Sequence, residues 1–155
     1  MVTLCDPRPG SLPKRCHPAH AFPPTLAYSL DVPASLSSSN MCVVASPSPH
    51  LRSIATFLLA PYLPPTALVV VASKGLEEGT LQTPHEVLVG ALAGPLARTD
   101  TIVALGGPSF AAEVAAGLPT CVVLASTCPA SASAAAAAFH ASFDRSSVTE
   151  GPSGL

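Results

Sequence analysis

Four short apolar runs recur along the chain: "MCVVAS" (41–46), "ALVVVAS" (67–73), "TIVALGG" (101–107) and "TCVVLAS" (120–126). Val-rich runs of this length, bounded by Ser, Gly or Pro, read as strands buried on both faces. Helical signals separate them. Ser48 as N-cap, with Pro49 at the first helical position, opens a helix whose Leu51, Ile54, Ala55, Leu58 and Leu59 share one face, and Pro61, Pro64 and Pro65 end it. Thr83, Pro84 and Glu86 form a capping-box start for the next, and "SFAAEVAAG" predicts a short helix from Ser109 to a Gly117 C-cap. This alternation predicts an α/β fold: a doubly wound, mostly parallel sheet with helices on both faces.

The flanks are less regular. Pro7, Pro9, Pro13, Pro18, Pro23 and Pro24 remove donors and block helix, so residues 1–24 read as an irregular Pro-rich segment. From Thr25, "TLAYSL" predicts a short strand, and Asp31 caps a weak helix over Val32 to Ser38. Ser131 to Phe143, with its alanine run, reads as helix or as low-complexity filler. Residues 25–145 are thus the expected domain, and 146–155 a polar, unpatterned tail.

At 155 residues and 48% hydrophobic content the chain can build a core. A net charge of −2 gives no basic field for nucleic acid, which leaves a small metabolite as the default partner. The odd set of Cys5, Cys16, Cys42, Cys121 and Cys128 contains no C-x-x-C, and Cys42 and Cys121 lie in strand-like runs, so buried thiols in a reducing compartment are expected. His17 and His20 sit close together but in the Pro-rich segment, and no metal is expected. No apolar run is long enough for a membrane span, and Arg8, Lys14 and Arg15 have no hydrophobic stretch behind them. The expected location is cytoplasmic, with a plastid or mitochondrial leader left open.

In open α/β sheets ligands bind beyond the carboxyl ends of the strands, here the loops "SPSP", "SKGLEEG" and "GGPSFA". Lys74 stands just past a strand end, where its ammonium can reach a phosphate or a carbonyl oxygen. By position alone, the plainer reading is that it marks where the strand meets water. The two glycines of "GGPSFAAE" permit close backbone approach, and a serine hydroxyl and a helix start follow them; an ordinary capped turn fits that spacing equally. Glu77 and Glu78 read as a solvated loop face. Without a G-x-S-x-G motif, hydrolase chemistry is disfavoured, and the ten glycines contain no G-x-G.

Together, "VASPSPHLR", "VVVASKGLEEGT" and "LGGPSFAAEVAAGLPTCVVLAS" resemble the NAD(P)-dependent glycerol-3-phosphate dehydrogenase family: its strand-end P-S motif, its S-K-G-[LI]-E segment and its G-P-S-F-A signature, in family order. The likeness covers about residues 20 to 126 and extends weakly upstream through "AFPPTLAYSLDVPASLSSSN". It implies a partial Rossmann-like domain whose first βαβ unit is missing. The implied enzyme interconverts sn-glycerol 3-phosphate and dihydroxyacetone phosphate by hydride transfer with NAD or NADP. By resemblance, Lys74 contacts both substrate and cofactor, Gly107 and Ser109 the glycerol phosphate, and Ala111 the cofactor.

Two departures qualify it. The family's G-x-G-x-x-[GA] loop has no counterpart here, and its proton-transferring lysine belongs to a later helical domain, whereas this chain has only Lys14 and Lys74. The chain therefore reads as an incomplete member that is inactive alone, partnered by the remainder of the enzyme or by its own copies. The alternative is a non-catalytic module that binds a phosphate ligand or a partner.

Overall fold

A computed structural model of the protein describes residues 2–5, 24–92, 99–140 and 147–150. The prolines from Pro7 to Pro23, Cys16, His17, His20 and Lys14 lie outside the described residues, as do the end of the alanine-rich segment and residues 151–155. A small parallel sheet pairs β1 (Val2–Cys5) with β2 (Leu26–Ser29). Residues 1–24 are therefore not irregular throughout, since Val2–Cys5 finds a strand partner. After β2, Asp31 Oδ1 accepts a hydrogen bond from the Ala34 amide at 3.0 Å and caps α1 (Val32–Ser37), as its sequence predicts.

The main sheet places β3 (Met41–Val44), β4 (Leu68–Val71), β5 (Ile102–Gly106), β6 (Cys121–Ala125) and β7 (Ser147–Glu150) side by side in that order. All neighbours run parallel except β5 and β6. The exception has a covalent cause. A parallel connection needs a crossover element long enough to pack back onto the sheet. Between β5 and β6 stands only α5 (Ala111–Ala115), which buries none of its residues. β7 corrects the reading of the tail as unpatterned, because Ser147–Glu150 adds a strand beside β6.

Helices cover both faces. On one, Val44, Val69, Val71 and Ile102 pack with Val32 and Leu36 of α1, Leu51 of α2 (Ser48–Ile54), and Val87, Leu88 and Leu92 of α4 (Pro84–Leu92). On the other, Val70, Val103 and Leu124 pack with Ala135, Ala136 and Phe139 of α6 (Pro129–His140). The alanine run is thus helix, and its small side chains let α6 lie close against the sheet. The capping box forms as the sequence predicts: Thr83 N donates to Glu86 Oε2 at 2.7 Å, and Glu86 N donates to Thr83 Oγ1 at 3.3 Å.

Several local expectations change. β3 is not buried on both faces: it ends the main sheet, and Val43 is 49% exposed. Ser48 is the first residue of α2 rather than its cap, and Pro47 takes the cap position without a side-chain bond. Pro61 does not stop that helix, which continues through a π turn (Ala55–Leu59) into α3 (Ala60–Tyr62). The wider turn, in which Ala60 N bonds to Ala55 O, gives the Pro61 ring room where a regular α turn would clash. Cys121 is exposed, not buried, and Cys42 and Cys128 are half-buried. Among the described residues no helix is long and apolar enough to cross a membrane.

Candidate functional site

Because β3, β4 and β5 run parallel, their carboxyl ends open on one edge of the sheet. The β3–β4 pairing reaches one step past Val71, with Ala72 N donating to Val44 O at 2.8 Å and Ser73 Oγ reaching the same oxygen at 3.4 Å. Lys74 follows directly. Its side chain is exposed, and Nζ lies 5.8 Å from the centroid of the Phe110 ring, near the outer limit for a cation–π contact. The loops after β4 and β5 are thereby brought together, since Phe110 stands between Ser109 and Ala111.

Gly75, at φ +94°, turns the chain away from the strand. A Cβ at this position would lie 3.4 Å from Ser48 Oγ, so the loop rests on the start of α2. Just past β3, Ser46 Oγ is buried with no hydrogen-bond partner among the described residues.

Beyond Gly75 the loop is clamped to α2. Arg52 Nε and one terminal guanidinium nitrogen reach the two carboxylate oxygens of Glu77 at 2.9 and 2.6 Å, and the same terminal nitrogen reaches Gln82 Oε1 at 2.7 Å. Thr80 Oγ1 adds a 2.6 Å bond to Glu77. These bonds from Arg52 and Thr80 hold the Glu77 carboxyl at about 2, well below its ordinary 4.5. Backbone bonds from Glu77 N to Gln82 O and from Leu81 N to Glu77 O, both 2.9 Å, close the loop on itself. Glu77 is therefore not a solvated loop residue: its side chain is only 14% exposed, while Glu78 faces water as expected. Sequence reasoning missed this pair, although Arg52 and Glu77 both lie inside the quoted family-like segments. The signal available was the one arginine of α2, placed beside the buried Leu51.

The other expected site residues lie at the same edge, with different local roles. Gly107 has φ +116°, and a Cβ there would come within 2.7 Å of Cys121 O and 3.2 Å of Val122 Cα. Its missing side chain makes room for β6. Gly106, by contrast, has nothing within 4 Å of its Cβ position among the described residues. Ser109 is half-buried, with its amide donating to Gly107 O at 3.0 Å. Ala111 is exposed and begins α5, so the helix starts two residues later than the sequence suggests and is too short for a strong terminal dipole. Chemically, the edge offers an ammonium, a hydroxyl and an aromatic face. Among the described residues no carboxylate pairs with Lys74, whereas Arg52 is paired with Glu77.

Residues 13–132 match the family model described as the NAD-dependent glycerol-3-phosphate dehydrogenase N-terminus. The chain is 39% identical over 127 residues to the glycerol-3-phosphate dehydrogenase [NAD(P)+] of Aromatoleum aromaticum, an alignment covering 82% of this chain and 37% of that protein. With the corresponding enzyme of Salinibacter ruber it shares 42% identity over 104 residues, 67% of this chain and 29% of that one. Among solved structures, glycerol-3-phosphate dehydrogenase from Coxiella burnetii superposes with a TM-score of 0.69 at 28% identity, covering 87% of this chain and 39% of that chain. The chain thus spans about a third of the length of the curated relatives it matches. By its motifs, its sheet and these relatives, it belongs to the family of NAD-dependent glycerol-3-phosphate dehydrogenase N-terminal domains.

Proposed function

We propose that this chain contributes the glycerol-phosphate-facing part of an NAD(P)-dependent glycerol-3-phosphate dehydrogenase, with residues 25–145 as the partial cofactor-binding domain. The observation that carries the reading is Lys74. It is an exposed cation, delivered by a buried strand to the carboxyl edge of the sheet, with no carboxylate partner among the described residues. Lys74 then binds the substrate's phosphate or its C2 oxygen and touches the nicotinamide end of the cofactor, while Ser109 supplies a hydroxyl and Gly107 a backbone wall. Ala111, small and exposed, leaves space for the cofactor.

A bound NAD(P) would supply the hydride acceptor for C2 of sn-glycerol 3-phosphate, whose alcohol would become a ketone. The residues in hand fit the substrate end of such a cofactor. They do not supply the pyrophosphate cradle, because no G-x-G occurs in the sequence. Nor is the alcohol proton assigned to Lys74, whose role here is electrostatic.

Calorimetric titration with glycerol 3-phosphate, alone and with NADH, tests the reading. Wild type should bind, and Lys74→Ala should lose roughly 10- to 100-fold in affinity, the worth of about 1.5–3 kcal/mol for a charged hydrogen bond. Absence of binding by the wild-type chain would refute it. A second reading, a partner-binding module without catalysis, draws on one observation: the half-exposed Val43 on the end strand β3. It predicts concentration-dependent self-association without ligand binding.

A further inference from the structure

We propose that Arg52 and Glu77 are positioning residues for Lys74, an inference that rests on Lys74 being the ligand contact. Only four residues, Ser73 to Leu76, separate two fixed points. On one side, Ala72 is held to Val44 O at 2.8 Å by the sheet. On the other, Glu77 is held by Arg52 at 2.9 and 2.6 Å and by Thr80 at 2.6 Å. Arg52 in turn stands on α2, whose neighbouring Leu51 is fully buried in the core. So short a span, already turned at Gly75 with φ +94°, leaves the Lys74 backbone few directions in which to aim the side chain toward Phe110.

The pair has a second effect. Glu77 lies three residues from Lys74, close enough in sequence for an unrestrained carboxylate to compete for its ammonium. The bidentate guanidinium occupies both carboxylate oxygens and removes that competitor. Loss of Arg52 therefore both loosens the loop and frees a rival anion, whereas loss of the Glu77 charge only loosens the loop. The two single variants should be unequal for ligand binding, with Arg52→Gln the weaker binder, by up to about fivefold relative to wild type.

Having only two lysines makes the test direct, because ¹³C-lysine labelling gives ε-methylene signals from Lys14 and Lys74 alone. In ligand-free wild type, the Lys74 signal should be shifted upfield by the Phe110 ring, and Phe110→Leu should abolish the shift. Glu77→Gln and Arg52→Gln should move it toward the solvent-exposed lysine value, and the charge-reversed double variant Arg52→Glu/Glu77→Arg should recover at least half the displacement. An unmoved Lys74 signal in folded single variants would overturn the proposal. Should those variants fail to fold, Thr80→Val and Gln82→Ala trim the clamp more gently, and an unmoved signal in both is equally fatal. Failure of wild type to bind glycerol 3-phosphate would refute the proposed function but leave this ligand-free readout intact, so the two failures are distinguishable.

Discussion

Gly107→Ala should destabilise the protein strongly, and the loss can be worked out from its surroundings. At φ +116° an L-residue sits in a region that costs about 1–3 kcal/mol. The new methyl would also lie 2.7 Å from Cys121 O and 3.2 Å from Val122 Cα, both backbone atoms of β6 that no rotamer change can move aside. Displacing a packed strand adds an overpacking penalty of about 1–3 kcal/mol. The sum, roughly 2–6 kcal/mol, corresponds to a fall in Tm on the order of 5–20 °C for a chain of this size. Thermal unfolding followed by circular dichroism measures it, with Gly106→Ala as the control, since among the described residues nothing lies within 4 Å of a Cβ there. Gly106→Ala should melt within about 2 °C of wild type. If Gly107→Ala did the same, or if both variants lost equally, the account of Gly107 as the seat of β6 would be refuted.

Thr83→Ala removes one half of the capping box of α4 and should cost about 1 kcal/mol, read as a Tm loss of roughly 2–4 °C. The Glu77 carboxyl is depressed to about 2 by Arg52 and Thr80, so its stabilisation is complete above its ordinary 4.5 and drains away as pH falls from there toward 2. The Tm difference between wild type and Glu77→Gln should therefore be constant near neutrality and should vanish near the bottom of that window; a gap that persisted there would disprove the ion-pair assignment. Purified chain given dihydroxyacetone phosphate and NADH should show negligible turnover, because its two lysines leave none for proton transfer; steady NADH consumption would contradict this.

How much was legible in the sequence varied with the physics of each element. Strands β4 and β5 were plain because buried parallel strands need unbroken apolar runs, and α4 was plain because its cap is a local, two-way hydrogen-bond signature. The strand β7 was not, since Ser147–Glu150 pairs along the sheet edge without an apolar run. The direction of β6 was equally hidden: its apolar run resembles the others, and only the poorly packed α5 before it betrays the reversal. The place of Lys74 and Ser109 in the loops at the carboxyl edge of the sheet was legible from motif and position. The Arg52–Glu77 clamp was missed because it joins residues 25 apart in sequence, a distance no local pattern encodes. The sequence suggested close ligand approach as the reason for a glycine at Gly107, and the structure adds one that no local pattern encodes: a Cβ there would meet the β6 backbone at 2.7 Å.

The central claim is that the carboxyl edge of β4 and β5 receives a phosphate-bearing substrate through Lys74. The most direct measurement is a map of backbone amide shifts in ¹⁵N-labelled chain titrated with glycerol 3-phosphate. The account predicts saturable shifts concentrated at Lys74, Gly75, Gly107 and Ser109, absent from Lys74→Ala. Shifts centred elsewhere on the sheet, or an identical map in Lys74→Ala, would contradict it.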